Sequence, residues 1–374
     1  MNKDLLRFVT TDDEYELREL ATAVQRFSSE LHADEYHEQD FRKMGELGLT
    51  GMSVGEDVGG SPLPALHQAA VIYEVARAAL GPAIYLGVHS MVGKLLYQWR
   101  GDSSLFGEEL AALAGGKKLG AFCLTEASAG SDASSLKTSA KQDGDDWVLS
   151  GEKIYVTSGP VADLFLVFAR TGDQISAFVL PGTSEGLERG PAEKKMGCEA
   201  APISSITFNN VRLPKSKLLG ELGAGYKTAL SGLNGGRISI AAAACGVAAH
   251  AIEIATAFAN ERAQFGSRIT EFQGIRFMIA DLVTQLRAAI ELTRAAALAV
   301  EKNPASNASA SIAKLFATDA AMKITTDCVQ LMGGAGYLGD YGAEQLMRDA
   351  KMLQIVEGTN QIQRVVIARE FLKE

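Results

Sequence analysis

Asp143-Gly144-Asp145-Asp146-Trp147-Val148-Leu149, followed closely by Lys153-Ile154-Tyr155-Val156-Thr157, is the stretch on which the fold class turns. An Asp-Gly pair between two runs of strand-forming residues reads as a tight turn joining neighbouring strands. Further short runs rich in Val, Ile and Phe follow at 164–169, 175–180 and 203–208. No long helical period interrupts them between about 118 and 225. An antiparallel sheet or small barrel is therefore expected there, and not a parallel sheet with helical crossovers.

Outward from this block the period changes. On the N-terminal side Leu17, Leu20, Val24 and Phe27 recur at the three- and four-residue spacing of an amphipathic helix. A second, short helix is expected over 41–47, ended by Gly48, and a third over 65–79 after the Gly-Gly-Ser-Pro turn at 59–62. Pro82 is placed to open a fourth, running to about Trp99. From Tyr226 to the end the chain is helical again and rich in Ala, broken at Asn303, Pro304 and Ser306 and again over 333–342. The expected organisation is a helical domain over 1–117, a β domain over 118–225 and a helical domain over 226–374, with no internal repeat.

Composition bounds the function. The 374 residues exceed what one core usually spans, and 47% hydrophobic with 22% charged is the balance of an ordinary globular protein. A net charge of −9 argues against non-specific binding to nucleic acid, although a few local arginines can still hold a phosphate. Cys123, Cys198, Cys245 and Cys328 show no CxxC spacing and read as reduced, buried thiols; no metal site is expected. The N-terminus has no apolar signal region. The most apolar stretch, 238–252, is shorter than the ~20 residues of a membrane span. A cytoplasmic protein without a membrane span is the expectation. Gly333-Gly334-Ala335-Gly336 is not a dinucleotide fingerprint, because it lies between helical segments and not between a strand and a helix.

Four motifs carry chemistry. Cys123-Leu124-Thr125-Glu126-Ala127-Ser128-Ala129-Gly130-Ser131-Asp132 is a strand end followed by a small-residue loop, where backbone N–H groups and hydroxyls can approach a flat polar ring. Tyr155 and Thr157 lie two residues apart on one strand and are expected to share a face. Glu261-Arg262-Ala263-Gln264-Phe265-Gly266, then Phe272-Gln273-Gly274, offers a guanidinium fork suited to a pyrophosphate. The last runs from Gln330 through the glycines at 333–336 and Leu346-Met347-Arg348-Asp349-Ala350-Lys351 to Glu357-Gly358-Thr359-Asn360-Gln361-Ile362-Gln363-Arg364.

In this order the four motifs resemble those of the acyl-CoA dehydrogenases, along the whole chain. The resemblance implies an N-terminal α-helical domain, a central antiparallel β domain and a C-terminal four-helix bundle. It also implies FAD as cofactor and an acyl-CoA substrate, dehydrogenated across its α–β bond to the trans-2-enoyl thioester. Glu357 matches the family's base, taking the α-proton while the β-hydrogen leaves as hydride to flavin N5. Donors to the thioester oxygen, in the family the base's own main-chain N–H and a ribityl hydroxyl, stabilise the charge that develops there.

By the same resemblance Phe122, Thr125, Gly130 and Ser131 line the flavin, with Ser131 near the thioester arm, and Tyr155 and Thr157 flank its ring. Arg262, Gln264, Phe272, Gln273, Gln330 and Gly334 hold the rest of FAD, some from a neighbouring subunit. Gly358, Thr359 and Gln361 complete the flavin site, and Asn234 and Arg237 lie against CoA. A homotetramer and an electron-transferring flavoprotein as acceptor are implied too. Some members carry the base near the position of Gly236, which cannot serve here. Two departures stand out: Tyr155 where tryptophan is common, and Val356 where many members have an aromatic. The alternatives left open are an acyl-carrier-protein dehydrogenase or an oxygen-using flavoenzyme on the same fold, and a non-catalytic flavin or acyl-CoA binding protein.

Overall fold

A computed structural model of the chain describes residues 2–102, 104–303 and 306–373. Helices α1 (Tyr15–Ser28), α2 (Glu38–Glu46), α3 (Ala65–Ala78), α4 (Leu80–Trp99) and α5 (Gly107–Ala114) come first. Leu17 and Val24 of the predicted stripe are buried on α1, with Leu20 and Phe27 packed partly covered beside them. Gly48 adopts the left-handed φ of 74° that lets the chain leave α2, a conformation open to glycine without a Cβ clash. Pro82 lies in the first turn of α4, where a missing N–H removes no helical bond.

Eight strands follow: β1 (Gly120–Cys123), β2 (Ser139–Asp143), β3 (Asp146–Thr157), β4 (Leu164–Thr171), β5 (Gln174–Pro181), β6 (Leu187–Arg189), β7 (Ile203–Pro214) and β8 (Leu218–Leu219). They form one sheet in the order β6-β7-β3-β2-β4-β5-β8, with β1 added beside β4. The turn at Gly144 joins β2 to β3 with Asp143 opposite Asp146. The sheet is mostly antiparallel; β1 runs parallel to β4, and β2 meets β4 in parallel at one residue pair. Strand β4 is covered on both faces. Leu164, Leu166 and Phe168 pack toward α4 and α5, while Phe165, Val167 and Ala169 pack among residues of β3, β5 and β7. Burial on both sides explains why β4 reads as a continuous apolar run.

The remaining helices are α6 (Gly225–Glu261), α7 (Gln273–Lys302), α8 (Asn307–Met332), the single turn α9 (Gly334–Tyr337), α10 (Ala343–Leu353) and α11 (Asn360–Leu372), with a small hairpin of β9 (Ala263–Gln264) and β10 (Ser267–Arg268). Pro304, expected to break the helical run, lies outside the described residues; α7 ends before it at Lys302. Helix α6 is longer than the apolar stretch seen in sequence: 37 residues, long and apolar enough by length and composition to cross a membrane. Its most apolar window is 78% buried inside the protein, against α3, α4, α7 and α8, so it forms the centre of the core.

Polar groups tie the layers together. Asp349 of α10 accepts the main-chain N–H of Cys198 at 2.6 Å, and Arg348 donates to Met196 O at 2.6 Å, fixing α10 to the loop after β6. His89 of α4 accepts from Gly120 N through Nδ1 at 3.1 Å, which leaves Nε2 to donate to Thr50 O at 3.2 Å. Burial lowers its pKa to about 4, so it stays neutral and aligns β1 with α4. All four cysteines are buried and free.

Helices α3 and α6 approach closely in the core, where a Cβ added at Gly246 would lie 2.5 Å from Tyr73 O. Gly246→Val is expected to force the two helices apart and destabilise the protein by on the order of 1–3 kcal/mol. A lowered thermal midpoint would register this; an unchanged midpoint would mean that α3 and α6 are not packed as described.

Candidate active site

The segment between α10 and α11 holds the site together. After α10 ends, the chain reverses through Glu357 and Gly358, both with left-handed φ, 55° and 86°. Glycine takes that conformation freely, but glutamate does so at a cost, of order 1–3 kcal/mol, that the surroundings must offset. They do so with hydrogen bonds. Gln363 Nε2 donates to Glu357 O at 3.1 Å and to Gly358 O at 2.7 Å. Lys314 Nζ, from α8, donates to Gly358 O at 3.0 Å and to Asn360 Oδ1 at 2.8 Å. Asn360 in turn donates to Thr318 Oγ1 and Asp319 Oδ1 at 2.9 and 2.7 Å, and its N–H donates to Gln354 O at 3.0 Å. Thr359 caps α11, its hydroxyl accepting from Ile362 N.

The Glu357 side chain is placed against α6. The residue as a whole is half-buried, yet its Oε2 is fully covered and has no hydrogen-bond partner among the described residues. Burial pushes the carboxyl up to about 7, against the opposing pull of Arg237 and Lys314. The covered oxygen weighs more here than the exposed area of the residue, because it is the carboxylate whose hydration matters. Directly beneath it is Gly236, where an added Cβ would lie 2.5 Å from Oε2. The glycine therefore makes the room that the carboxylate occupies. Its neighbour Arg237 is buried; one terminal nitrogen donates to Asn234 Oδ1 at 3.3 Å and Ser311 Oγ at 3.4 Å, while its Nε is covered and unpartnered. Thus Glu357, Gly358, Thr359, Asn234 and Arg237 are brought together, with Gln361 exposed one turn on.

A second cluster lies on the sheet. Ile154 N donates to Thr125 O at 2.9 Å, joining the loop after β1 to β3. Beneath that loop Lys153, fully buried, donates to Glu126 Oε1 at 2.7 Å and to Leu124 O at 3.0 Å, and Glu126 also accepts from the main-chain N–H of Lys137 and Thr138. This buried pair fixes Thr125 in place. Regular strand pleating does not set Tyr155 and Thr157 as expected: β3 is bulged between Lys153 and Val156, and Tyr155 has a φ of 55°. The bulge leaves Tyr155 64% exposed, whereas Val156 is buried and Thr157 half-buried. Gly130 and Ser131 are exposed on the loop, and Phe122 is half-buried against Phe168.

Arg262, Gln264, Phe272, Gln273, Gln330 and Gly334 form a third group at helix ends: the close of α6, the β9–β10 hairpin, the start of α7 and the junction of α8 with α9. All six are exposed, and Phe265 beside them is 96% exposed. Among the described residues no hydrogen bond links this group to Thr125 or Glu357, and Arg262 has no ion-pair partner. Sequence reading missed Lys314, and it did not show that Asn360 and Gln363, within the quoted motif, hold the Glu357 turn or that Lys153 pairs with Glu126 under Thr125. A signal for Lys314 was present: it falls on a stripe with Ala310, Ala313, Ala317 and Ala321, all buried, where a helix facing a core offers no reason for charge.

Three family profiles match the chain: Acyl-CoA dehydrogenase, N-terminal domain, over 11–117; middle domain, over 121–211; and C-terminal domain, over 223–372. An acyl-CoA dehydrogenase of Bacillus subtilis (strain 168) is 40% identical over 344 residues, covering 91% of each chain. The structure of butyryl-CoA dehydrogenase from Megasphaera elsdenii superposes with a TM-score of 0.93 at 34% identity, covering 97% of this chain and 100% of the other. A glutaryl-CoA dehydrogenase from Mycobacterium smegmatis in complex with FADH2 gives 0.94 at 25% identity, covering 99% and 98%.

The space above Gly236 yields a direct test of the geometry. Gly236→Ala should displace the Glu357 carboxylate and slow reaction at that group by about 10–100-fold, the penalty of misplacing a reacting group by roughly an ångström. Folding and cofactor content should be kept. Full activity in the alanine variant would show that the carboxylate does not rest on Gly236.

Proposed function

The chain belongs to the acyl-CoA dehydrogenase family, and from that premise we propose that it converts an acyl-CoA thioester to its trans-2-enoyl product with Glu357 as the base. As a family member it is a flavoprotein oxidoreductase with FAD as cofactor. The observation that carries the proposal is the covered, unpartnered Oε2 of Glu357 over Gly236. A surface glutamate would be hydrated, and a structural one would be paired. A carboxylate oxygen covered and held without a donor is a stronger proton acceptor, which removal of the weakly acidic α-proton of a thioester requires. Among the described residues the Glu357 main-chain N–H donates no hydrogen bond, which leaves it free for the thioester oxygen.

The residues fit the cofactor. Bound FAD supplies the two-electron acceptor for the β-hydrogen. Tyr155 offers an exposed ring, and Gly130 and Gly334 have open space where a Cβ would project. Phe122, Thr125, Ser131, Tyr155 and Thr157 would hold the ring portion, and Gly358, Thr359 and Gln361 would close on it. Arg262, Gln264, Phe272, Gln273, Gln330 and Gly334 would take the remainder. Their exposure supports a site shared with a neighbouring copy, as in a homotetramer. Ser131, Asn234 and Arg237 would meet the thioester arm. The division at 117/118 and 225/226 and an electron-transferring flavoprotein as acceptor belong to the same proposal.

Replacing the base is the first test. Glu357→Gln should bind FAD normally yet slow anaerobic flavin bleaching by butyryl-CoA by about 10²–10⁴-fold. Retention of full dehydrogenation would remove Glu357 from the mechanism. In the wild type the same rate should rise with pH through about 7, because the carboxyl is protonated below that point and cannot accept. A profile flat from pH 5 to 9 would contradict the assignment.

A further inference from the structure

Lys314 sits where its helix has no packing reason to place a charge. It is 0% exposed, set among buried alanines of α8. Among the described residues it forms no salt bridge, and its two partners are a carbonyl, Gly358 O, and an amide oxygen, Asn360 Oδ1. Burying an ammonium without a carboxylate in ion-pair contact is unfavourable, and an apolar residue of similar volume would pack at no such penalty. Burial accordingly lowers its pKa to about 8. The charge therefore has some use other than stability. Both atoms it grips belong to the turn that carries Glu357: one residue beyond the base, and three residues beyond it.

We propose that Lys314 is a positioning residue for the reaction, its ammonium fixing the 357–360 turn through Gly358 O and Asn360 while its charge favours the ionised form of Glu357. The proposal rests on the reading of Glu357 as base. The grip is directional. Gln363 also donates to Gly358 O, from α11, so that carbonyl is held from two elements at once, and the left-handed pair at 357–358 is kept from relaxing. The field has a definite sign as well. Among the described residues the charged groups facing Glu357 are Arg237 from α6 and Lys314 from α8, while α11 contributes the neutral Gln363. Lys314 is faced by Glu357 and Asp319, with Arg237 as the like charge. Burial alone would drive Glu357 toward its neutral form; the two cations oppose this. A merely structural role at Lys314 would be met by any side chain able to donate to Gly358 O.

That difference decides the experiment. In the FAD-loaded enzyme without substrate, the infrared band of the protonated Glu357 carboxyl, identified by its loss in Glu357→Gln, is followed against pH. The wild-type midpoint should fall at about 7. In Lys314→Met and in Lys314→Gln, which keeps a donor but drops the charge, it should move upward by roughly one pH unit. Flavin reduction by butyryl-CoA at pH 7 should then fall about fivefold, with its acid limb displaced by the same amount. Asn360→Ala should slow reduction without moving the midpoint, because the charge remains. An unmoved midpoint in Lys314→Gln with normal FAD content overturns the proposal, and that variant carries the test if Lys314→Met does not fold. Should butyryl-CoA fail to bleach the wild type, the substrate reading fails separately, while the infrared midpoint still reports the field of Lys314.

Discussion

One carboxylate oxygen without a partner is the constraint on which the rest of the site depends. Covering a carboxylate oxygen without a hydrogen bond disfavours the charged form and raises the pKa, and such groups cluster where a proton must be taken. Here the neighbours of Glu357 hold it in place, while the charges of Arg237 and Lys314 offset part of that cost. Gly236 vacates the space, and the glycine at 358 lets the turn reverse. Gln363 and Lys314 hold the carbonyls of the turn, while Asn360 ties it to α8. The break between α10 and α11 thus serves the carboxylate, and its unusual backbone is held by polar contacts from helices far away in sequence.

Buried positive charge recurs in the molecule with two different meanings. Lys153 is directly opposite Glu126, which also collects two main-chain N–H groups, so that pair is fully compensated and acts as a rivet under the loop of Thr125. Removing one partner of such a pair leaves the other charge buried, at about 3–5 kcal/mol. Lys314 and Arg237 are less well matched. Neither forms a salt bridge among the described residues, and burial depresses both. Compensated charge secures the sheet side of the site; uncompensated charge surrounds the base.

Much of this was legible in the residues. Three- and four-residue spacing located α1, glycines marked the ends of helices, and the Asp-Gly turn identified the β2–β3 pair. Glu357 was singled out from its motif, but not its environment. Period and composition describe one element at a time, whereas the hold on Glu357 comes from α6, α8 and α11 together. The bulge at Tyr155 was invisible because a strand-forming sequence does not announce an extra residue in its pairing. β1 read as a strand without revealing that it pairs parallel with β4, because direction is set by the path through α4 and α5 and not by local sequence. The exposed group around Arg262 poses the same difficulty at larger scale, since its proposed completion belongs to another copy of the chain.

The central claim, that this is an FAD enzyme which dehydrogenates an acyl-CoA, is tested most directly by the visible spectrum of the purified protein. It would be recorded before and after anaerobic addition of acyl-CoAs of graded length and branching. The account predicts a yellow protein whose flavin band bleaches with at least one member of the series. A colourless protein that cannot be reconstituted with FAD, or a flavin unmoved by every acyl-CoA offered, would contradict it.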